Sequence, residues 1–243
     1  MKVIVIIPAA GLGTRMASAA ASGRKPVASK QFADLQGTPI LVRTLSRFAE
    51  NPEISQIRIA LRQAEIFPFT ERLRRETPEA WVKKTVLLEG GDNRQQSVAN
   101  ALTGVGADAD DIILVHDAVR PFVSAQMIHD VIEAAKKYGA AIVGMPAMDT
   151  IKQVERTAEG ALIKATIPRE KVVMAQTPQG FRYSVLRKAF DEAAADGFIG
   201  TDEASLVERS GHPVAVVMGS AQNIKITTPG DLELAEFYSH RQL

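Results

Sequence analysis

A turn of small residues near the start of the chain has the composition of a phosphate-binding loop. It reads PAAGLGTRM over residues 8–16 and directly follows the apolar run VIVII at residues 3–7. Glycine and alanine let backbone N–H groups come close to a ligand, and Arg15 adds a fixed positive charge. The turn matches neither the G-x-G-x-x-G of dinucleotide-binding folds nor the G-K-[ST] of a P-loop. By itself it is as typical of a tight strand-to-helix connection as of a phosphate site.

Residues of related chemistry follow two other apolar runs. Gly90 and Gly91 come after one of them, and Asp117, whose carboxylate could hold a hard divalent cation, comes after another. Lys30 supplies a second cation. This inventory suits a nucleoside triphosphate better than acyl or hydride transfer, since the sequence has no G-x-S-x-G elbow and no H-E-x-x-H motif. We interpret His116 as a packed residue that helps to position Asp117.

Composition narrows the classes of protein further. The chain has 243 residues, a formal net charge of +1 and no cysteine. A net charge near zero argues against nucleic acid as a partner, and the lack of cysteine excludes disulfides, thiolate metal sites and thiol nucleophiles. No apolar run reaches the length of a membrane span, and Gly11, Gly13 and Arg15 interrupt the apolar start too early for a signal peptide. We therefore expect a soluble, cytoplasmic protein without a membrane partner.

The elements that must position these residues follow from apolar periodicity. Strands are predicted at 3–7, 57–61, 85–88, 112–115, 141–145, 214–218 and 224–226. Helices are predicted from Thr38-Pro39, at 69–75, after Ser97, at 124–138, at 184–195, after the cap Thr201-Asp202-Glu203 and from Thr228-Pro229. The alternation predicts one α/β domain over residues 1–243, a Rossmann-like, mostly parallel sheet with helices on both faces. The three motif-bearing segments follow predicted strands, so they should meet at the carboxyl edge of the sheet. Residues 17–29 are either a mobile flap or a frayed Ala-rich helix.

The alternation is interrupted at about residues 149–166. Two short alternating segments, 149–154 and 161–165, are joined by a turn-like stretch and predict a β-hairpin arm outside the sheet. An isolated hairpin is marginal in water and cannot bury its own apolar face. We therefore expect the arm to need a partner surface for Ile151, Val154, Leu162 and Ile163.

Several motifs stand in a fixed order along the chain. They are PAAGLGTRM with Lys30-Gln31, Gly90-Gly91-Asp92 with Arg94 and Ser97, HDAVRP at 116–121, Asp149-Thr150, QTPQ at 176–179, TDEAS at 201–205 and NIK at 223–225. In this order they resemble the 2-C-methyl-D-erythritol 4-phosphate cytidylyltransferases of the non-mevalonate isoprenoid pathway. The resemblance covers essentially the whole chain. Ser29 stands where that family usually has proline, and the segment 17–29 is longer than is usual there.

The resemblance implies transfer of CMP from CTP to methylerythritol phosphate, with release of pyrophosphate and with Mg²⁺ as cofactor. It implies that Arg15 and Lys30 stabilise the pentavalent phosphorus and that Asp117 helps to hold the metal. Lys225 and Arg169 would position the attacking phosphate. The remaining implied contacts are Ala9, Ala10, Gly11, Gly13, Gly91, Asp92, Ser97 and Ala118 for the nucleotide, and Arg120, Thr150, Thr177 and Thr201 for the sugar alcohol.

The resemblance also implies a homodimer in which the arm carries Arg169 into the partner's site, although the hairpin could instead fold back on its own sheet. Two rival functions stay open. A ribitol 5-phosphate cytidylyltransferase shares the fold, the first turn and the lysine. A nucleotide-binding regulator would have lost a cation or carboxylate, whereas Arg15, Lys30, Asp117 and Lys225 are all present. A nicotinamide dehydrogenase is disfavoured by the missing fingerprint.

Overall fold

A computed structural model of the chain describes residues 1–11 and 29–240. The strands are β1 (Val3–Pro8), β2 (Asp34–Leu35), β3 (Thr38–Pro39), β4 (Gln56–Leu61), β5 (Thr85–Glu89), β6 (Ile112–Val115), β7 (Ala140–Pro146), β8 (Ile151–Thr157), β9 (Gly160–Ile167), β10 (Val173–Arg182) and β11 (Ala215–Met218). The helices are α1 (Ile40–Ala49), α2 (Gln63–Glu76), α3 (Glu79–Lys84), α4 (Arg94–Leu102), α5 (Ala125–Tyr138), α6 (Tyr183–Asp196), α7 (Glu203–Arg209) and α8 (Pro229–His240). Gly13, Arg15 and the segment 17–28 lie outside the described residues.

The described residues form a central seven-stranded sheet in the order β11-β7-β10-β6-β1-β4-β5. All neighbouring strands in it are parallel except those beside β10. β1 and β6 lie side by side at its centre and are almost entirely buried, as continuous apolar runs predict. Separate apolar clusters cover the two faces of the sheet. The prediction of a mostly parallel α/β sheet with helices on both faces is therefore confirmed.

β10 is a central strand that the sequence analysis missed. It lies antiparallel between β6 and β7 and runs for ten residues, where only a connection to the next helix was expected. Its pairing with β7 shifts register between Ala175 and Gln179. Pro178 lies within that shift, where it need not donate a ladder hydrogen bond. A proline among polar residues interrupts the apolar alternation by which strands are recognised.

Two further expectations at element boundaries were wrong. Thr38-Pro39 does not begin a helix, because these residues pair with Asp34–Leu35 in a short hairpin, and α1 begins at Ile40. The two turn residues of this hairpin both have positive φ, as tight two-residue hairpin turns require. Residues 224–226 form no strand. Ile226 instead donates its N–H to the Val119 carbonyl at 3.0 Å, and its side chain is fully buried.

Capping residues set the starts of the helices near the sheet's carboxyl edge. Asn93 caps α4 by accepting the Gln96 N–H at 2.8 Å, and Asp202 caps α7. α5 begins after its cap Ser124 and ends at Gly139, as predicted. α2 is longer than the predicted 69–75.

Among the described helices, none combines the length and apolar character needed to cross a lipid bilayer.

The predicted hairpin arm is present as β8 and β9, which pair with each other in a two-stranded sheet of their own. Val154, Leu162 and Ile163 are 45%, 67% and 66% exposed. Within a single chain these apolar side chains of the arm are therefore exposed to water. The expectation that the arm needs a partner surface rests on this exposure.

Candidate active site

A cavity of about 460 Å³ opens at the carboxyl edge of the sheet, where β1, β5 and β6 end. Predicted site residues that line it are Ala9, Ala10, Gly11, Lys30, Gly91, Asp92, Ser97, Asp117, Ala118 and Lys225. Further lining residues are Pro8, Gln31, Asn93, Arg94 and Val119. The three segments singled out in the sequence thus share one cavity.

The two glycine-containing turns lie directly against each other. A β-carbon built on Gly90 would lie 2.5 Å from the Ala10 Cβ and 3.0 Å from the Ser97 Oγ. The Ser97 hydroxyl accepts the Gly91 N–H at 3.0 Å and donates to the Asn93 carbonyl at 2.9 Å. The second turn is therefore fixed by α4, and its contact with the first turn leaves no room for a side chain at position 90.

Asp117 lies at the centre of the charged residues of the site. Its Oδ2 is 3.0 Å from the Arg120 Nε and 3.1 Å from the Lys225 Nζ, and its Oδ1 is 3.6 Å from the Arg94 Nε. Burial alone would raise the pKa of the Asp117 carboxyl, but Lys225, Arg94 and Arg120 outweigh burial and hold that pKa well below its usual range. The carboxylate is thus ionised at any physiological pH.

A hydrogen-bonded chain beneath Asp117 fixes its backbone. The Thr177 hydroxyl accepts the Asp117 N–H at 3.0 Å and lies 3.1 Å from the His116 Nδ1, to which it donates. The His116 Nε2 therefore carries the proton and donates to the Arg120 carbonyl at 3.0 Å. His116 is fully buried, packs edge-on against Phe48, and burial lowers its pKa to about 4. The interpretation of His116 as a packed positioning residue agrees with this geometry.

Arg94 and Glu203 form an ion pair that the sequence analysis did not assign. The Arg94 Nη1 contacts both carboxylate oxygens of Glu203, at 2.6 and 2.7 Å. Glu203 is 1% exposed, whereas Arg94 is 29% exposed and reaches the cavity. Glu203 thus anchors a cation that faces the cavity. The two residues are 109 positions apart, so no local pattern could have paired them, although both lie in the quoted motifs.

Some predicted site residues lie outside the cavity of their own chain. Thr177 is buried in the chain beneath Asp117, and Arg120 links Asp117 to the Asn223 carbonyl at 2.7 Å. Thr201 is exposed beside the α7 cap. Thr150 and Arg169 are exposed at the base of the arm, where the Arg169 Nη1 donates to the Met148 carbonyl at 2.8 Å. Arg15 and Gly13 are not among the described residues.

A family model described as 2-C-methyl-D-erythritol 4-phosphate cytidylyltransferase matches residues 3–241. The chain belongs to this family. A protein of that name from Acidobacterium capsulatum is 58% identical over 98% of this chain and 97% of the relative. Another from Solibacter usitatus is 49% identical over 98% of this chain and 96% of the relative.

Solved structures of this cytidylyltransferase family share the fold along the whole chain. The crystal structure from Francisella tularensis is 36% identical, with a TM-score of 0.79 and 100% of both chains covered. That from Thermus thermophilus is 35% identical, with a TM-score of 0.75, covering 99% of this chain and 100% of the other. The hairpin arm falls within these alignments, so it belongs to the architecture of the cytidylyltransferases.

A matched pair of glycine variants tests the contact between the two turns. Gly90→Ala would force the turns apart, and we expect it to lower the free energy of unfolding by about 1–3 kcal/mol, the usual cost of overpacking. At Gly11 no atom of the described residues lies within 4 Å of a built β-carbon. Gly11→Ala should therefore change stability by less than about 0.5 kcal/mol, yet weaken binding of a nucleoside triphosphate such as CTP. Urea unfolding and calorimetric titration with CTP measure the two effects, and equal stability loss in both variants would contradict the contact.

The low pKa of His116 predicts a specific dependence of stability on pH. Because the folded-state pKa of about 4 lies below the ordinary 6.5, the unfolded chain takes up the proton first. The stabilisation is complete above about pH 6.5 and decreases by about 3 kcal/mol as the pH falls to 4. His116→Gln removes this titration, so the gap in unfolding free energy between wild type and variant should narrow from about pH 7.5 to 4.5. Parallel stability curves for the two proteins would show that His116 titrates normally.

Proposed function

We propose that this protein transfers the cytidylyl group of CTP to 2-C-methyl-D-erythritol 4-phosphate, forming 4-diphosphocytidyl-2-C-methyl-D-erythritol for isoprenoid precursor synthesis. The observation that carries the proposal is the cavity itself, in which two small-residue turns face a buried carboxylate surrounded by cations. Such a site can bind a triphosphate and neutralise its charge. The relatives that match along the full chain bear the name of this activity.

In the proposed reaction a phosphate oxygen of methylerythritol phosphate attacks the α-phosphorus of CTP. The new P–O bond forms as the bond between the α-phosphorus and the bridging oxygen breaks, and pyrophosphate leaves with the bonding electrons. No proton has to move when the attacking phosphate is already ionised. Catalysis therefore consists of positioning two anions in line and stabilising the charge that accumulates at phosphorus.

The cations divide this work according to where they lie. Lys30 and Arg94 face the cavity, and Lys225 faces it while paired with Asp117. We assign Lys30, with Arg15, to the charge at the α-phosphorus and Lys225 to the attacking phosphate. Arg94 adds positive charge that the buried Glu203 keeps in place.

The nucleotide would be held mainly by backbone groups and small side chains. Ala9, Ala10 and Gly11 from the first turn, and Gly91 and Ser97 from the second, line the cavity. The close approach of Gly90 to Ala10 brings the two turns near each other, and we expect this spacing to favour a pyrimidine over a larger purine. Asp92 and Ala118 also line the cavity.

The carboxylates of the described cavity lining suit magnesium. Asp117 stays ionised, and Mg²⁺ in nucleotide sites is held by one or two carboxylates together with phosphate oxygens. Asp117 would hold the ion on the protein side, and Asp92 is the other carboxylate within the cavity. When bound, the ion would neutralise the triphosphate and orient it.

We also propose that the protein acts as a homodimer joined through the arm. Besides the arm residues, Val173 and Met174 on β10 and Val216 and Met218 on the edge strand β11 expose apolar side chains. Among the described residues that line the cavity, none comes from the arm. We therefore assign Arg169, together with Thr150, to the site of a partner subunit, where each arm would complete the other subunit's site. Cytoplasmic localisation and a single domain over residues 1–243 stay predictions from the sequence.

The reaction is tested by pyrophosphate release with CTP, UTP, ATP and GTP against methylerythritol phosphate and ribitol 5-phosphate. We expect turnover with CTP and methylerythritol phosphate, and loss of turnover when EDTA removes the metal. Faster turnover of ribitol 5-phosphate would assign the chain to the rival cytidylyltransferase activity. CTP binding without turnover of either polyol phosphate would identify a nucleotide-binding regulator.

The variants Arg15→Ala and Lys30→Ala test whether these two cations stabilise the charge that accumulates at the α-phosphorus. Each should lower kcat by at least ~10²-fold, the usual scale for removing one preorganised donor. KM for CTP should change less than kcat, since the cations act chiefly on the transition state. The exposed Lys83, which pairs with Glu79 on α3, provides the matched control Lys83→Ala. A variant with raised KM and wild-type kcat would show that the residue binds the ground state instead.

Exchange of arms is tested by mixing two inactive variants, Arg15→Ala and Arg169→Ala. Unfolding and refolding them together makes about half the dimers mixed if association is random. In a mixed dimer with exchanged arms, one site has both arginines, so activity should return to about one quarter of wild type. Heavy-isotope labelling of one variant gives mixed dimers a mass between those of the two homodimers, so native mass spectrometry can verify that they form. Mixed dimers without activity would show that the arm serves its own chain.

A further inference from the structure

Lys30 lies on a single turn of 3₁₀ helix, Lys30–Phe32, between two buried neighbours. Ser29 is 8% exposed and Gln31 is 2% exposed, while Lys30 itself lines the cavity. The backbone of Lys30 thus lies between two residues that are held in place by burial. The contacts of its neighbours show what holds it.

The Ser29 hydroxyl is bonded to two charged side chains at the start of α2. It donates to the Glu65 Oε1 at 2.8 Å and accepts a hydrogen bond from the Arg62 Nη2. Arg62 and Glu65 also bond to each other, with the Arg62 Nε 3.1 Å from the Glu65 Oε1. One hydroxyl therefore uses both its donor and its acceptor capacity to join the segment to a charged pair.

Gln31 and Phe32 hold the other side of the turn. The Gln31 Nε2 donates to the Ala9 carbonyl at 2.6 Å, and the Ala9 N–H donates to the Ala60 carbonyl at 2.7 Å. The ring of Phe32 packs 5.7 Å from that of Phe69 on α2. The turn is consequently attached to the sheet through Gln31 and to α2 through Phe32, while Ser29 connects its leading end to charged groups.

We propose that Ser29, through Arg62 and Glu65, is a positioning residue that sets the placement of Lys30 in the site. This inference rests on the proposed role of Lys30 at the α-phosphorus. A lysine side chain is long and flexible, so a fixed backbone removes one source of variation in the placement of its ammonium. Removing the hydroxyl leaves the Arg62–Glu65 pair bonded to itself, so the effect on folding is small and the effect on Lys30 is local.

A double-mutant cycle separates positioning of Lys30 from a general structural role. Ser29→Ala should lower kcat about tenfold, less than the ~10²-fold that a misplacement of about 1 Å can cost. Ser29→Thr keeps the hydroxyl and should retain kcat. In the Lys30→Ala background, Ser29→Ala should lower kcat no further, because the group that it positions is gone. Ser46→Ala, which removes a hydroxyl bonded to the Arg43 carbonyl within α1, is the matched control and should leave kcat unchanged.

Amide hydrogen exchange of residues 29–33 gives a readout that does not depend on activity. The Phe32 N–H donates to the Ser29 carbonyl at 2.7 Å and the Ala33 N–H to the Lys30 carbonyl at 3.2 Å, and both should exchange faster in Ser29→Ala. Equal losses of kcat in the two backgrounds, or unchanged kcat and exchange in Ser29→Ala, overturn the positioning role. A wild-type protein that turns over no CTP with methylerythritol phosphate overturns the proposed function instead.

Discussion

The electrostatic attraction between one buried carboxylate and three cations is the interaction on which the site depends. Asp117 draws Arg94, Arg120 and Lys225 from three separate parts of the chain to within 3.0–3.6 Å of its oxygens. Buried unpaired charge is costly, so each of these groups needs the others to stay in place. The carboxylate thereby concentrates positive charge at the cavity that we assign to the triphosphate.

The fold supports this carboxylate from below as well as from the side. Asp117 lies just after the end of β6, at the carboxyl edge of the sheet. Thr177 on the antiparallel β10 accepts the Asp117 N–H. His116 completes the chain of hydrogen bonds and must stay neutral to do so, because its Nδ1 accepts while its Nε2 donates. A buried polar network of this kind is stable only when every member is satisfied, which fixes the backbone at position 117.

The sequence predicted the site better than the path of the chain around it. Gly11, Gly91 and Asp117 could be placed on one edge because each follows a buried apolar run, and parallel strands end on the same side of a sheet. β10 could not be recognised, since Pro178 and its polar neighbours hide a central strand whose pairing is decided by β6 and β7. The pairing of Arg94 with Glu203 was equally hidden. Contacts between side chains more than 100 residues apart are determined by tertiary packing. Such contacts produce no local pattern in the sequence from which they could be predicted.

The contact between Ala10 and Gly90 limits how the two turns can diverge in evolution. With only 2.5 Å between the Ala10 methyl and a β-carbon at position 90, the pair has space for one methyl group and not for two. A mutation that adds a methyl group at position 90 is therefore destabilising unless residue 10 is already glycine. The accessible route to change passes through a Gly-Gly intermediate, after which the methyl can reappear on either turn. Two positions 80 residues apart in sequence are thus coupled by a single steric contact.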